Sequence, residues 1–285
     1  MSLPEEDAPK LNLLVAIPYM KGTILDILRE NQGRIRFLLD SGAFTAWKAG
    51  KPIALDDYCR FLESLPIQPC RYFTLDVIGD PKASLKNYET LLKRGFKPVP
   101  IFTRGESPSA LDDYYKTSDV VGIGGLVGTQ QNRGFVNGIM KHVGKRRVHW
   151  LGFTSPDYLK VYKPYMCDSS SWNGAIKFAS LKIYDRDGRF VSCQKRDFMK
   201  HPPTQVLRLL REYEIDPSTL AKVGNWKNSG KGIYPTEVIA FRSFVRFQGD
   251  VTRGLGTKMF LAIASDWQAR LMIEAYDFWE RRKAA

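Results

Sequence analysis

The strongest constraint on the fold is a repeated alternation between short apolar runs and longer amphipathic segments. The apolar runs, typical of β-strands, cover residues 13–19, 35–40, 72–77, 98–102, 120–124, 148–153 and 165–168. Helical patterns lie between or after them, at 23–31, 55–65, 81–94, 107–116, 132–143 and 155–162. Buried parallel strands are continuously apolar, and βα units repeat at about this interval. The pattern therefore predicts an α/β protein, a (β/α)8 TIM barrel.

The rhythm changes after residue 168. A hairpin is predicted from the runs at 178–184 and 189–193, followed by a helix near 204–214 and a long final helix from about 257 to 282. The sequence contains no internal repeat and no obvious linker. We therefore expect a single barrel domain over 1–285, with an irregular basic insertion at 195–258.

The charge indicates a polyanionic partner. The chain has a net charge of +13, and residues 195–258 carry 12 Lys and Arg against 6 Asp and Glu. Cations at phosphates release condensed counterions, which favours binding to nucleic acid. The segment 222–232 mixes lysines and glycines with Trp226, so it could follow a phosphate backbone and offer a ring for stacking. An ordinary solvated loop has the same composition.

Membrane, secretory and metal-binding classes are not favoured. No apolar stretch approaches the roughly 20 residues that span a bilayer, and the acidic start of the chain lacks a signal-peptide core. The four cysteines form no Cys-x-x-Cys pair, so we expect reduced thiols, no zinc site and no other cofactor. These features predict a cytoplasmic protein.

Carboxylates stand at the ends of three predicted strands. Asp40, Asp76 and Asp168 each close an apolar run, and a barrel gathers these ends on the face where active sites are built. An Asp in this position is often only a turn former or helix cap, but three at corresponding places favour a site. Two carboxylates at a glycosidic carbon can perform displacement with retention. A sugar as leaving group would make a glycosidase, and a nucleobase would make a base-exchange or base-removing enzyme.

Four segments, in this order, resemble signatures of the tRNA-guanine transglycosylases. They are Asp-Ser-Gly-Ala-Phe at 40–44, Val-Gly-Ile-Gly-Gly-Leu-Val-Gly at 121–128, Trp-Leu-Gly-Phe-Thr-Ser-Pro at 150–156 and Met-Cys-Asp-Ser at 166–169. The matched span coincides with the predicted barrel, which is the fold of that family.

The resemblance implies a role for each matched residue. Asp168 would attack C1′ of the target nucleoside and form a covalent enzyme–nucleic acid intermediate. Asp40 would protonate the departing guanine and later deprotonate the incoming 7-deazaguanine. Asp76 would read the guanine edge, since a carboxylate accepts well from the N1–H and 2-amino donors. The implied base pocket also includes Phe44 and Leu151, which would sandwich the base, and Gly124, Gly125 and Leu126, which would line it.

Departures from the family point to its DNA-acting branch. Arg104 stands where a base-binding Gln is usual, and the Cys-x-Cys-x-x-Cys zinc motif of the tRNA enzymes is missing. A short, zinc-less, basic chain resembles the 7-deazaguanine DNA transglycosylases of bacteria and bacteriophages, which protect DNA from restriction. The implied partners are a free 7-deazaguanine base and duplex DNA with the target nucleotide extruded, with tRNA less favoured. Predicted nucleic-acid contacts are Trp226, Lys227, Lys231, Arg208, Arg211, Arg242 and Arg246.

Three alternatives stay open. A tRNA transglycosylase without zinc would use the same residues on another substrate. A glycoside or nucleoside hydrolase would use Asp40 and Asp168 and need no incoming base. A non-catalytic DNA-binding protein on a barrel scaffold would be unaffected by Asp168→Ala.

Overall fold

The computed structural model describes residues 10–127, 133–226 and 234–284, and these divide into two compact units. The first unit holds the described residues up to Ser169 together with Leu255–Asp266. The second holds the described residues from Ser170 to Gly254 and those from Trp267 onward. The chain therefore leaves the first unit after Ser169 and returns to it for one further strand.

Eight strands of the first unit alternate with helices. The strands are β1 Leu11–Ala16, β2 Ile35–Asp40, β3 Arg71–Tyr72, β4 Ile101–Phe102, β5 Val120–Ile123, β6 Arg147–Trp150, β7 Met166–Ser169 and, after the second unit, β10 Lys258–Ile263. The helices are α1 Gly22–Glu30, α2 Ala43–Lys48, α3 Leu55–Ser64, α4 Pro81–Lys93, α5 Pro108–Tyr114, α6 Arg133–Val143 and α7 Pro156–Tyr162.

These strands form one parallel sheet in the order β3-β2-β1-β10-β7-β6-β5-β4. The two end strands are linked as well, by a parallel bridge between Phe73 and Val99. Val99 N donates to the Tyr72 carbonyl at 2.8 Å, and Thr74 N donates to the Val99 carbonyl at 2.9 Å. The result is a curled, TIM-barrel-like α/β fold.

The strands share a buried apolar cluster, to which Leu151, just beyond β6, adds a partly buried side chain. Its buried members are Leu14, Leu38, Phe73, Val99, Ile101, Val120, Met166 and Phe260. Side chains two residues apart in a strand lie on the same face of the sheet. Asp40 follows Leu38 and Asp168 follows Met166 at this spacing, so both carboxylates lie on the face of the cluster.

The second unit has its own core. It contains α8 Trp172–Lys177, β8 Ser180–Tyr184, β9 Phe190–Gln194, α9 Lys195–Lys200, α10 Thr204–Glu212, nearly all of α11 Pro235–Leu255, and α12 Asp266–Ala284 apart from its first residue. Strands β8 and β9 form an antiparallel hairpin. Its core packs Leu181 and Ile183 of the hairpin with apolar residues of α10 and with Ile239 of α11.

Most predicted elements are confirmed, but the predicted helix from 257 is wrong in its first part. Residues 258–263 are the buried strand β10, paired with β1 and β7, and α12 begins only at Asp266. A six-residue apolar run does not distinguish a strand from a buried helix. The single domain over 1–285 and its basic insertion at 195–258 stay predictions. The second unit begins at Ser170, where the sequence predicts that the rhythm of strands and helices changes.

In the part of the chain that the structure describes, no helix combines the length and apolar character that a membrane crossing requires. The four cysteines, Cys59, Cys70, Cys167 and Cys193, are all free.

Candidate active site

Asp40 ends β2 and is held by the turn that leads into α2. Gly42 adopts a positive φ of 74°, and its N–H donates to Asp40 Oδ2 at 3.2 Å. A Cβ at Gly42 would lie 2.2 Å from Cδ of Pro18, so only glycine fits this turn. The turn thereby fixes the carboxylate at the carboxyl end of the sheet.

Asp168 is anchored through one of its two oxygens. Oδ1 lies 2.8 Å from His149 Nε2 and accepts a 3.0 Å bond from Gly152 N. The His149 side chain is fully buried and that of Asp168 is 13% exposed. Both of these bonds are to Oδ1, so the other described residues leave the second oxygen, Oδ2, to approach a substrate carbon.

Asp76 lies in the loop after β3, fixed on either side by α4. Asn87 Nδ2 donates to the Leu75 carbonyl at 2.9 Å, and Val77 N donates to Ser84 Oγ at 2.8 Å. Asp76 Oδ1 is buried and has no hydrogen-bond partner among the described residues. A buried acceptor in this state is suited to a ligand that brings N–H donors.

Burial and neighbouring negative charge raise the pKa of Asp40 and of Asp76. Burial, followed by the negative charge of Asp168, raises the pKa of Asp40 from 3.8 to about 6, against the opposing hydrogen bonds from Gly42 and Ser41. Burial, then Asp40 and Glu106, raises the pKa of Asp76 from 3.8 to about 8. Groups that hold protons near neutral pH beside an anchored carboxylate are the arrangement that acid–base and nucleophilic chemistry needs.

The predicted base-pocket residues lie at the same ends of the strands. Gly124 follows β5 and donates its N–H to the Phe102 carbonyl at 2.8 Å. At Gly125, with a φ of 70°, a Cβ would lie 3.0 Å from Arg104 Cβ, so the two loops pass closely. Leu126 is buried, whereas Leu151 is partly buried against the apolar cluster.

Two other predicted pocket residues are exposed. Phe44 is on α2, with 53% of its surface exposed. Arg104 is exposed after β4, with its guanidinium carbon 5.0 Å from the centroid of Phe135. In this conformation neither side chain is enclosed in a pocket.

The prediction that Trp226 offers a ring for stacking is wrong. The residue has no exposed surface and belongs to the core of the second unit. Its indole N–H donates to the Leu220 carbonyl at 2.7 Å, and Phe198 packs 5.3 Å from it between ring centroids. A tryptophan in a basic, glycine-rich sequence can equally anchor the loop to a core, and that is its role here.

The predicted basic contacts divide into three groups. Arg208 and Arg211 are exposed on α10. Arg246 pairs with Glu212 at 3.0 Å, and Arg242 donates to the Tyr213 carbonyl and lies 3.9 Å from the Phe278 centroid. These two arginines are engaged within the second unit, so their placement favours a structural role over the predicted phosphate contact. Lys227 and Lys231 lie outside the described residues.

Two residues next to the carboxylates were missed as functional candidates. His149 was predicted only as a strand residue, yet it bonds Asp168, and its Nδ1 is buried with no partner among the described residues. The sequence signal that could have identified His149 is its position. It is a polar residue two positions before Leu151, so it lies on the face of the strand that carries the apolar cluster. Glu106 accepts from Thr103 N and Oγ1 and from Tyr114 Oη, and its charge contributes to the raised pKa of Asp76.

In the described ranges, no group of three or more His, Cys, Asp or Glu side chains is placed to hold a metal ion. Among known proteins, no family model matches the sequence. No curated protein matches it either.

Proposed function

We propose that this protein is a base-exchange transglycosylase on a closed (β/α)8 barrel, which replaces guanine in DNA by a 7-deazaguanine base. The observation that carries the proposal is the arrangement around Asp168. One oxygen is anchored by His149 and Gly152, and its charge acts on the buried Asp40. The motif resemblance assigns these two carboxylates the roles of nucleophile and acid–base group.

In the first half of the reaction, Asp168 Oδ2 attacks C1′ of the target nucleotide while the bond from C1′ to guanine N9 breaks. The electron pair of that bond leaves with guanine, and Asp40 supplies the proton that neutralises it. A pKa of about 6 instead of 3.8 means that a larger fraction of Asp40 holds this proton near neutral pH.

In the second half, the incoming 7-deazaguanine loses its N9 proton to Asp40, and N9 attacks C1′. The ester to Asp168 breaks, and the aspartate returns to its starting state. Asp76, with a buried oxygen that lacks a partner among the described residues, would accept from the N1–H or 2-amino group of either base. One pocket therefore serves both the leaving and the incoming base.

The charge of the chain supports a nucleic acid as the substrate, since +13 favours a polyanion. The missing zinc motif of the tRNA enzymes favours DNA over tRNA. C1′ of a duplex nucleotide is inside the base stack, so the target must be extruded or presented single-stranded, at a cost of a few kcal/mol. By family resemblance, the modified DNA would resist restriction nucleases.

The first test is exchange of isotopically labelled guanine into DNA and, separately, into unmodified tRNA. This assay does not require the identity of the 7-substituent, because the leaving and incoming bases are the same compound. Parallel reactions with 7-substituted deazaguanines are digested and their nucleosides identified by mass spectrometry. We expect label in DNA with the wild type and none with Asp168→Asn.

Each other outcome assigns a different function. Label in tRNA alone would place the protein among the tRNA enzymes. Release of free guanine without incorporation would favour a hydrolase that uses Asp40 and Asp168. An Asp168→Asn variant that exchanges at the wild-type rate would contradict the proposed nucleophile.

A further inference from the structure

A pair of large aromatic side chains is exposed on α2, the helix that follows Asp40 in the chain. Phe44 and Trp47, one helical turn apart on α2, are 53% and 54% exposed. Their ring centroids lie 5.9 Å apart with an interplanar angle of 27°, so they form one stacked surface. Adjoining exposed apolar side chains can mark a binding site, whereas single ones need no explanation.

This surface is held in place at both ends of α2. At its start, Gly42 packs against Pro18 and donates to Asp40 Oδ2. At its end, Gly50 N donates to the Trp47 carbonyl and Lys51 N to the Ala46 carbonyl, each at 2.9 Å. This pair of bonds is a Schellman motif, which Gly50 permits with a φ of 66°. The Trp47 backbone is therefore fixed relative to the end of β2.

Within α2 and the turn that follows it, the charged residues are lysines. Lys48 Nζ lies 4.4 Å from the centroid of the Phe44 ring, and Lys51 is exposed. Residues 41–54 contain these two lysines and no acidic residue. The next two acidic residues, Asp56 and Asp57, pair with Arg94 and Arg60.

We propose that Trp47 and Lys48 bind the nucleotide next to the target in an opened DNA strand, with its base stacked on the Trp47 ring and a phosphate at Lys48. This inference rests on the proposed function, because it places the flanking nucleotide beside the carboxylates that act on the target. Aromatic rings and cations side by side are the combination by which proteins hold single-stranded nucleic acid without reading its sequence. An acidic or apolar protein partner would use the rings or the lysines, but it would not require both in this arrangement.

The test is the affinity of the full-length protein for a fluorescein-labelled single-stranded oligodeoxynucleotide, measured by anisotropy at several salt concentrations. We expect Trp47→Ala to weaken binding about 10-fold and Trp47→Phe to retain most of the affinity, since stacking needs a ring. Lys48→Ala should reduce the slope of log K against log salt by about 0.7, the value for one phosphate of a single strand. Trp47→Ala should leave that slope unchanged.

A matched control is available in the second unit. Phe178 is 68% exposed, and Lys177 Nζ lies 5.6 Å from its ring centroid, so Phe178→Ala removes a comparable aromatic–lysine pair. We expect it to bind within twofold of the wild type. Equal affinity of Trp47→Ala and the wild type, or an equal loss in Phe178→Ala, would overturn the proposal.

The binding assay separates this inference from the proposed function. If Trp47→Ala loses binding but the wild type performs no base exchange, the proposed binding surface is supported and the proposed reaction is contradicted. If the wild type performs base exchange but Trp47→Ala binds DNA as well as the wild type does, the proposed reaction is supported and the proposed binding surface is contradicted.

Discussion

His149 determines how Asp168 is presented. Its Nε2 lies 2.8 Å from Asp168 Oδ1, and its buried ring packs on Phe73 with 4.8 Å between centroids. In the covalent intermediate Oδ1 would be the ester carbonyl oxygen, and negative charge would return to the carboxylate when the ester breaks. A donor at Oδ1 stabilises that charge, so it should speed release of Asp168.

Replacement of His149 tests this role. We expect His149→Phe, which fits beside Phe73 but cannot donate, to slow labelled-guanine exchange about 10-fold or more, the cost of a hydrogen bond to a charged group. His142→Phe is the control, because His142 is on α6 with Asp112 at 3.2 Å and lies outside the site. Exchange by His149→Phe at the wild-type rate would exclude a role in positioning Asp168.

The raised pKa of Asp76 predicts how stability changes with pH. Since the folded-state pKa is about 8 and the ordinary value is 3.8, the native state binds more protons than the unfolded state between these values. The free energy of unfolding should therefore fall as pH rises from about 4 to 8. Asp76→Asn removes this contribution.

We expect the Asp76→Asn variant to lose less stability than the wild type between pH 5 and pH 8.5. One unit of pKa difference corresponds to about 1.4 kcal/mol, and solvent at this end of the sheet reduces the effect. We expect a difference of about 1–3 kcal/mol. Urea unfolding at each pH measures it, and parallel stability curves for the two proteins would show that Asp76 is not buried as described.

At the scale of elements, the two ends of α2 depend on their glycines to different degrees. Gly42 and Gly50 both have positive φ, but a Cβ would collide with Pro18 only at Gly42 and would meet nothing within 4 Å at Gly50. We expect Gly50→Ala to cost about 1 kcal/mol, the strain of a left-handed residue. Gly42→Ala should cost more, about 2–4 kcal/mol, because strain and overlap add.

Chemical denaturation of the two glycine variants measures this difference. Gly42→Ala should also reduce base exchange, because the shifted turn carries Asp40, whereas Gly50→Ala should largely preserve it. Equal costs for the two substitutions would mean that Pro18 moves aside easily.

The order of the elements could be predicted because the strands of the parallel sheet are short, apolar and separated by well-marked helices. Strand β2 was predicted with its observed bounds, and the hairpin of β8 and β9 was predicted within two residues. β10 was missed because its residues Met259 and Leu261 also favour helix, and its partners β1 and β7 are distant in sequence. Long-range pairing decides such a run, and local preference does not report it.

The site was predictable where a residue ends a strand. Asp40 and Asp168 follow apolar runs and lie on the face of the cluster, as the period of two requires. His149 was not recognised because its partner is 19 residues away and its role arises only from packing. Trp226 was assigned to the surface because a basic loop does not reveal that one of its side chains is buried.

At the scale of the whole molecule, net charge does not reveal which cations are available to a partner. Glu212 binds Arg246 at 3.0 Å and Arg186 at 2.9 Å, and Arg246 also lies 4.9 Å from the centroid of Trp279. Arg208 and Arg211, three residues apart on α10, are exposed, while Val206, Leu209 and Leu210 of the same helix are buried. Arginine therefore forms partly buried ion pairs at one place in the second unit and lies exposed on its surface at another.

This division predicts opposite phenotypes for two sets of arginine variants. Replacement of Arg208 and Arg211 by Ala should leave the unfolding free energy nearly unchanged and reduce the salt slope of DNA binding by as much as about 1.8, because each phosphate contact in a duplex contributes about 0.9. Arg246→Ala should lower the unfolding free energy by about 1–3 kcal/mol. The reason is that Glu212 loses a partner, and the side chains of Arg246 and Glu212 are only 15% and 14% exposed. Its salt slope should match that of the wild type under conditions where it is folded. A reduced slope in Arg246→Ala at unchanged stability would show that this arginine reaches DNA after all, and that its ion pair opens when DNA binds.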